Sequence, residues 1–245
     1  MALRLFVDFD GTVARADVGN TFFRTFGGER CAELVRAYRA GEISAEECFG
    51  RELDYIGAVH PAALEAFVQA QEITPGFPAL VQFCRAHAIQ CTIVSDGLDF
   101  YIRGVLARIG LDDLPVYSNV LVWHPDGDGG VRGSITFPHA NAECDRCGCC
   151  KRNIVLNGSG EEDVIVYVGD GYSDRCPVEY ADIVFARDEL QAYCQQKNIS
   201  YYLFDSFVDV TADWQDSSSG GPFAGAGALN SGAERPLWQK HERGE

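Results

Sequence analysis

Apolar residues follow two rhythms along this chain. Four short runs, Leu3–Val7, Cys91–Val94, Val164–Val168 and Ile183–Phe185, are almost continuously apolar, rich in β-branched residues and bounded by turn residues. Such runs bury both faces of a strand, as parallel sheets covered by helices do. Between them the spacing changes to three and four residues, over Phe77–His87, over Phe100–Ile109 and more weakly over Glu189–Gln196. That is the period of a helix with one buried face. The alternation predicts an α/β fold built on a Rossmann-like, doubly wound parallel sheet.

Two segments depart from the alternation. From Val18 to about Ile73 the pattern is nearly all helical, with TFFRTF, CAELVRAY, SAEECFGRELDYI and PAALEAFVQA as four candidate helices. Ser44 with Glu47 fits a capping box, and Pro61 suits a first helical turn. We expect residues 18–73 to form a small helical cap inserted into a core made of residues 1–17 and 74–215. From Val116 to Thr136, apolar and polar residues alternate around PDGDGG, which predicts a β-hairpin flap with a glycine-rich turn. Residues 216–245, rich in Gly, Ser and Ala without a sustained period, read as a disordered tail.

Composition narrows the partners. A net charge of −16 without a Lys/Arg cluster argues against nucleic acid, whose phosphates call for clustered basic residues. A small phosphorylated ligand stays compatible, because a metal, one lysine and backbone N–H groups can make a local positive site. The start, MALRLFVDFDG, reaches two aspartates within ten residues and reads as a strand rather than a signal segment. No run approaches the ~18 apolar residues of a membrane span. The expectation is a cytoplasmic protein with no membrane partner, in which ten cysteines are thiols or metal ligands rather than disulfides.

The chemistry gathers where the apolar runs end. The first run leads into Asp8-Phe9-Asp10-Gly11-Thr12, with two carboxylates two positions apart and so on one side of an extended chain. The second leads into Ser95-Asp96-Gly97 and the third into Gly169-Asp170-Gly171-Tyr172-Ser173-Asp174, with Lys151 before it. In open α/β sheets ligands bind beyond the carboxyl ends of the strands, so these groups converge on one edge.

With these motifs the chain resembles the haloacid dehalogenase (HAD) superfamily over roughly residues 3–210, and within it the phosphoserine-phosphatase-like branch with a helical cap. The resemblance implies a phosphatase in which Asp8 is the nucleophile, Asp10 the general acid and base, and Ser95 and Lys151 hold phosphate. It also implies Mg²⁺ held by Asp8, the Asp10 carbonyl and Asp170. The physics agrees with these roles. A phosphate monoester repels a carboxylate, so a hard cation and a lysine are needed to screen the attack. Asp10 must arrive protonated, which burial and a neighbouring carboxylate favour. Asp174, four residues after Asp170, is expected to orient a metal water or the lysine.

The stretch CDRCGCCKRNIV, with SDGLDFYI, DIVFARDEL and YCQQKNI, further resembles methionine-salvage phosphatases acting on 2-hydroxy-3-keto-5-methylthiopentenyl-1-phosphate. Asp96 departs from the Ser-Gly-Gly expected there, and GDGYSD from a GDSxTD-like motif. Phosphatases of phosphoserine, phosphocholine or phosphoethanolamine share the same chemistry, and transfer to an acceptor other than water would use the same groups. Asp96 and Gly97 are candidate substrate contacts, whereas Asp99 reads as a helix cap. Arg15, Asp17 and Asn20 stand at the cap entrance. Cys144, Cys147, Cys149 and Cys150 offer four soft ligands for Zn²⁺ or another structural metal, or form a set of reduced or disulfide-forming thiols. A non-catalytic metal- or redox-sensing protein built on that cluster is the alternative from another class. Cys84 and Cys91 fall in apolar runs and read as core, and the scattered histidines carry no catalytic pattern.

Overall fold

A computed structural model describes residues 2–127, 129–144 and 146–215; the predicted tail lies outside them. Seven strands form one sheet: β1 (Leu3–Val7), β2 (Gln90–Leu98), β3 (Val116–Asp126), β4 (Gly130–Thr136), β5 (Val164–Gly169), β6 (Ile183–Ala186) and β7 (Tyr202–Leu203). Their order is β4-β3-β2-β1-β5-β6-β7. Every neighbouring pair is parallel except β3 and β4, which form the predicted hairpin. The hairpin lengthens the sheet rather than standing apart from it. It is also fastened to the helical insert, because Val59 and Val131 exchange two backbone hydrogen bonds of 2.8 Å.

The two-residue period of the strands divides the interior. Leu5 and Val7 of β1, with Val166 and Val168 of β5, face one apolar cluster; Phe6, Ile165 and Tyr167 face the other. The first face is covered by α5 (Phe77–Ala86), α6 (Asp99–Arg108) and α9 (Phe207–Gln215), through Leu80, Val81, Ile102, Phe207 and Val210. The second is covered by α7 (Lys151–Asn157) and α8 (Asp188–Lys197), through Ile154, Val155, Leu190 and Cys194. A sheet clothed on both sides explains the near-continuous apolar runs.

The insert folds as α1 (Val18–Gly27), α2 (Cys31–Arg39), α3 (Ala45–Ile56) and α4 (Pro61–Gln69). Asp17 caps α1 by accepting the Asn20 N–H, and Ser44 caps α3 by accepting the Glu47 N–H. Pro61 opens α4, where the first turn's N–H has no helical partner to lose. Phe22 and Phe23 of α1 carry the insert's aromatic seam, with Phe22 touching both Phe67 of α4 and Phe100 of α6. Among the described residues no helix is long and apolar enough to cross a membrane.

Candidate active site

Strand β1 delivers Asp8 to the carboxyl edge, where its N–H donates to the Val168 carbonyl at the end of β5. The chain then winds through one wide turn, Phe9–Val13, in which Asp10 stays extended and Gly11 takes φ +78°. A side chain on Gly11 would be strained at that φ and would run into the Asp170 carboxylate. Thr12 Oγ1 donates to Asp170 Oδ1 at 2.6 Å, so the turn after β1 and the turn after β5 are knitted together.

A charged knot lies beneath that edge. Lys151, 1% exposed, donates to Asp8 Oδ1 and, at 2.7 Å, to Asp174 Oδ1. Asp174 also accepts from the Tyr167 hydroxyl at 2.6 Å and from the N–H groups of Asp170 and Gly171. Burial opposes the charge on Lys151, but the Asp174 and Asp8 carboxylates outweigh it and hold its pKa well above the ordinary value. Burial and the Asp174 charge favour the neutral form of Asp8 and raise its pKa above the usual carboxylate range, with the Lys151 ammonium opposing them. Asp170 is raised to about 6, again chiefly by burial and by Asp174.

Asp8, Asp170 and Asp174 each offer a carboxylate oxygen within 4.8 Å of the others. Three hard oxygen donors against one ammonium leave excess negative charge, a donor set that fits a hard divalent cation. Asp174 is already committed to Lys151, Tyr167 and two backbone amides, which leaves Asp8 and Asp170 as the better-disposed ligands. The Asp10 side chain faces elsewhere.

Asp10 has its own cradle. Its Oδ2 accepts from Ser95 Oγ at 2.9 Å and from the Tyr101 hydroxyl at 3.0 Å, and its Oδ1 accepts from the Gly19 N–H at 3.0 Å. Burial, followed by the Asp17 charge, raises Asp10 to about 7 despite those hydrogen bonds. Ser95 in turn accepts from the Gly97 N–H at 2.9 Å. Tyr101 is a participant that the sequence hides, because it sits at an apolar-periodic position of α6 and reads as core.

Above these groups a cavity of about 310 Å³ opens between the sheet edge and the insert. Asp8, Asp10, Asp96, Gly97, Asp170 and Asp174 line its floor, while Phe23, Val35, Tyr38, Cys48, Phe49 and Glu52 line its roof. Asp17 and Asn20, expected at the cap entrance, line it as well. Arg15 instead pairs with Glu72 at 3.5 Å on the surface.

Two expectations change. Asp99 is not a helix cap: it is the first residue of α6, and its carboxylate accepts the Leu121 N–H at 2.9 Å, tying α6 to β3. The four cysteines before Lys151 do not close on a common point. Among the described residues, a group of three or more metal-capable side chains within 4.8 Å occurs at the aspartates, not at the cysteines. Cys149 points into the apolar core, and all ten cysteines are free thiols. Asp96, left open by the sequence, accepts from the Cys149 N–H at 2.8 Å and from Asn119 Nδ2 at 3.3 Å. It anchors the loop that delivers Lys151 while keeping a face on the cavity.

Residues 5–176 match the family model of haloacid dehalogenase-like hydrolases. The chain is 31% identical over 222 residues to the 2-hydroxy-3-keto-5-methylthiopentenyl-1-phosphate phosphatase of Exiguobacterium sibiricum, covering 86% of this chain and 95% of that one. The enzyme of the same name from Brevibacillus brevis is 29% identical over 214 residues, covering 85% and 93%. Among solved structures, the phosphoserine phosphatase of T. onnurineus superposes with a TM-score of 0.64 at 15% identity, covering 88% of this chain and 96% of that one. A phospho-aspartyl intermediate analogue of phosphoserine phosphatase gives 0.64 at 17% identity, covering 86% and 98%. At those identities the two structures speak for the fold.

Proposed function

This chain belongs to the haloacid dehalogenase-like hydrolase family and is a phosphatase of it, and we propose that it hydrolyses a small phosphomonoester with Asp8 as nucleophile and Mg²⁺ as its metal. One observation carries the reading. Asp8 and Asp170 face the same cavity as Asp10, with buried Lys151 against Asp8 and with Asp10 raised to about 7.

In the first half-reaction an Asp8 oxygen bonds to phosphorus and the bond to the leaving oxygen breaks, with the Asp10 proton passing to that oxygen. In the second, a water oxygen bonds to the same phosphorus, its proton goes to Asp10, and the acyl phosphate bond opens to restore the Asp8 carboxylate. Ser95 and Tyr101 hold Asp10 in line for both transfers. Lys151 fixes the attacking oxygen and offsets charge building on the phosphoryl group. Mg²⁺, when bound by Asp8, Asp170 and the Asp10 carbonyl, supplies charge screening and orientation of the phosphate. Residues 18–73 act as the lid over a core of residues 1–17 and 74–215, closing over the leaving group and shutting out bulk solvent while admitting the water that Asp10 activates.

The substrate carried by the two named relatives, 2-hydroxy-3-keto-5-methylthiopentenyl-1-phosphate, is the first to test. Ten free thiols support a reducing, cytoplasmic setting. Asp8→Asn removes the nucleophile and little volume, so Mg²⁺-dependent phosphate release from p-nitrophenyl phosphate is expected to vanish while circular dichroism is retained. Turnover persisting in that variant overturns the assignment of Asp8.

A further inference from the structure

Glu52 is a carboxyl group without an assigned task. It lies on α3, is 3% exposed, and lines the roof of the cavity beside Phe23, Val35 and Phe49. Its Oε2 meets the Cys48 thiol at 3.7 Å, and its Oε1 has no hydrogen-bond partner. Buried polar groups are almost always satisfied, so an unpartnered carboxyl oxygen on a residue that lines the cavity marks a group that a ligand completes once the side chain turns to it. Nothing about the packing of α3 demands a carboxyl there, since its buried neighbours on the same helix are Ala45, Cys48 and Ile56.

The surroundings select the form of the group. Apolar and aromatic side chains flank it, the ionisable groups acting on it are Cys48 and Asp17, and burial raises it to about 8. At neutral pH such a carboxyl is protonated and offers one donor and one acceptor. Its complement is a neutral oxygen-bearing group rather than a cation.

Resting on the phosphatase reading above, we propose that Glu52 is a specificity-determining residue whose neutral carboxyl hydrogen-bonds a hydroxyl or carbonyl oxygen on the leaving group. The substrates are then phosphate esters of hydroxy- or keto-alcohols, oriented with the phosphoryl group on the floor carboxylates and the second oxygen against the roof. Sites that hydrogen-bond a substrate oxygen reject analogues lacking it, because their own polar groups are left unpaired.

The test compares dihydroxyacetone phosphate, n-butyl phosphate and O-phosphoethanolamine, with p-nitrophenyl phosphate as the Asp8-dependent control. Wild type is expected to favour dihydroxyacetone phosphate over n-butyl phosphate by about tenfold or more in kcat/KM. Glu52→Leu and Glu52→Met should bring that ratio to within about twofold, mainly through KM, whereas Glu52→Gln, which keeps a donor and an acceptor, should retain most of it. Because the ratio is taken within one variant, a partial loss of folded protein cancels, and two apolar replacements guard against one failing to fold. A wild type without the preference, or apolar variants that keep it, overturns the proposal. So does a preference for O-phosphoethanolamine that Glu52→Gln abolishes, since that is the signature of an ionised carboxylate pairing an ammonium. Absence of Asp8-dependent turnover of p-nitrophenyl phosphate overturns the phosphatase reading itself.

Discussion

Replacing Lys151 by Met tests whether the knot beneath the catalytic edge is held by charge. The substitution keeps the length of the side chain and removes an ammonium whose partners are as buried as it is, with side-chain exposures of 1% for Lys151, 5% for Asp8 and 1% for Asp174. Removing one member of a buried pair leaves an uncompensated charge and costs about 3–5 kcal/mol. For a chain of this size that corresponds to a fall in Tm of roughly 6–20 °C. The deficit also depends on pH. Asp8 already has a folded-state pKa above its ordinary value through burial and the Asp174 charge, and the variant lacks the one opposing group. A carboxyl raised in the folded state is stabilising while protonated, so the deficit is smallest in acid and grows as pH rises towards neutrality and beyond. Thermal and urea unfolding followed by circular dichroism in a chelator, across that rise in pH, measures it. Asp174→Asn and the double variant close the cycle, and about 1–3 kcal/mol of coupling is expected. A Lys151→Met protein within about 1 kcal/mol of wild type at neutral pH, or strictly additive losses, refutes the electrostatic account.

Gly97→Ala places a methyl group against the Tyr101 hydroxyl and Asp10 Oδ2, and 3.0 Å from Ser95 Oγ; kcat is expected to fall by about tenfold or more as the proton donor is displaced, which steady-state kinetics reads directly. At the opposite end of the sheet, Asp163 is lowered to about 2, first by its hydrogen bond from Arg4. A depressed carboxylate contributes stability above its unfolded pKa and loses it as pH falls, so the stability gap between wild type and Asp163→Asn should be full near neutrality and close between about pH 4 and about pH 2. Acid unfolding curves of the two proteins compare them.

The sheet was legible because its strands are clothed on both sides: Leu3–Val7 and Val164–Val168 needed only their apolar continuity to be recognised. Strand β2 runs four residues further than its apolar part, since the chain passes irregularly through Ser95, Asp96 and Gly97, where hydropathy has already fallen, before Leu98 pairs with Asn119. Helix α7 spans seven residues and β7 two, too short for a period to register. The groups at the site were legible where polar residues end an apolar run, as at Asp8, Ser95 and Asp170. They were illegible where a functional side chain occupies a structural position. Tyr101 looks like core, and Glu52 looks like the solvent side of an amphipathic helix, until the fold turns each towards the cavity. Asp99 and Asp96 show the converse. Both stand where a cap or a substrate contact is expected, and both hold backbone amides 22 and 53 positions away in the chain, a relation that no local pattern carries.

The bond from the Cys149 amide to Asp96 divides the chain's tolerance of change. It pins the last three residues before α7 to the end of β2, so the position of Lys151 is measured from that pin and not from the hairpin far upstream. Insertions and deletions between Ala140 and Cys147, inside the loop that the Cys150 N–H closes on the His139 carbonyl, can therefore accumulate over evolutionary time without moving the lysine. A single residue added between Cys149 and Lys151 rotates the helix start away from Asp8. The cysteine-rich loop is in this sense two segments under different selection, one a spacer free to drift and the other a ruler.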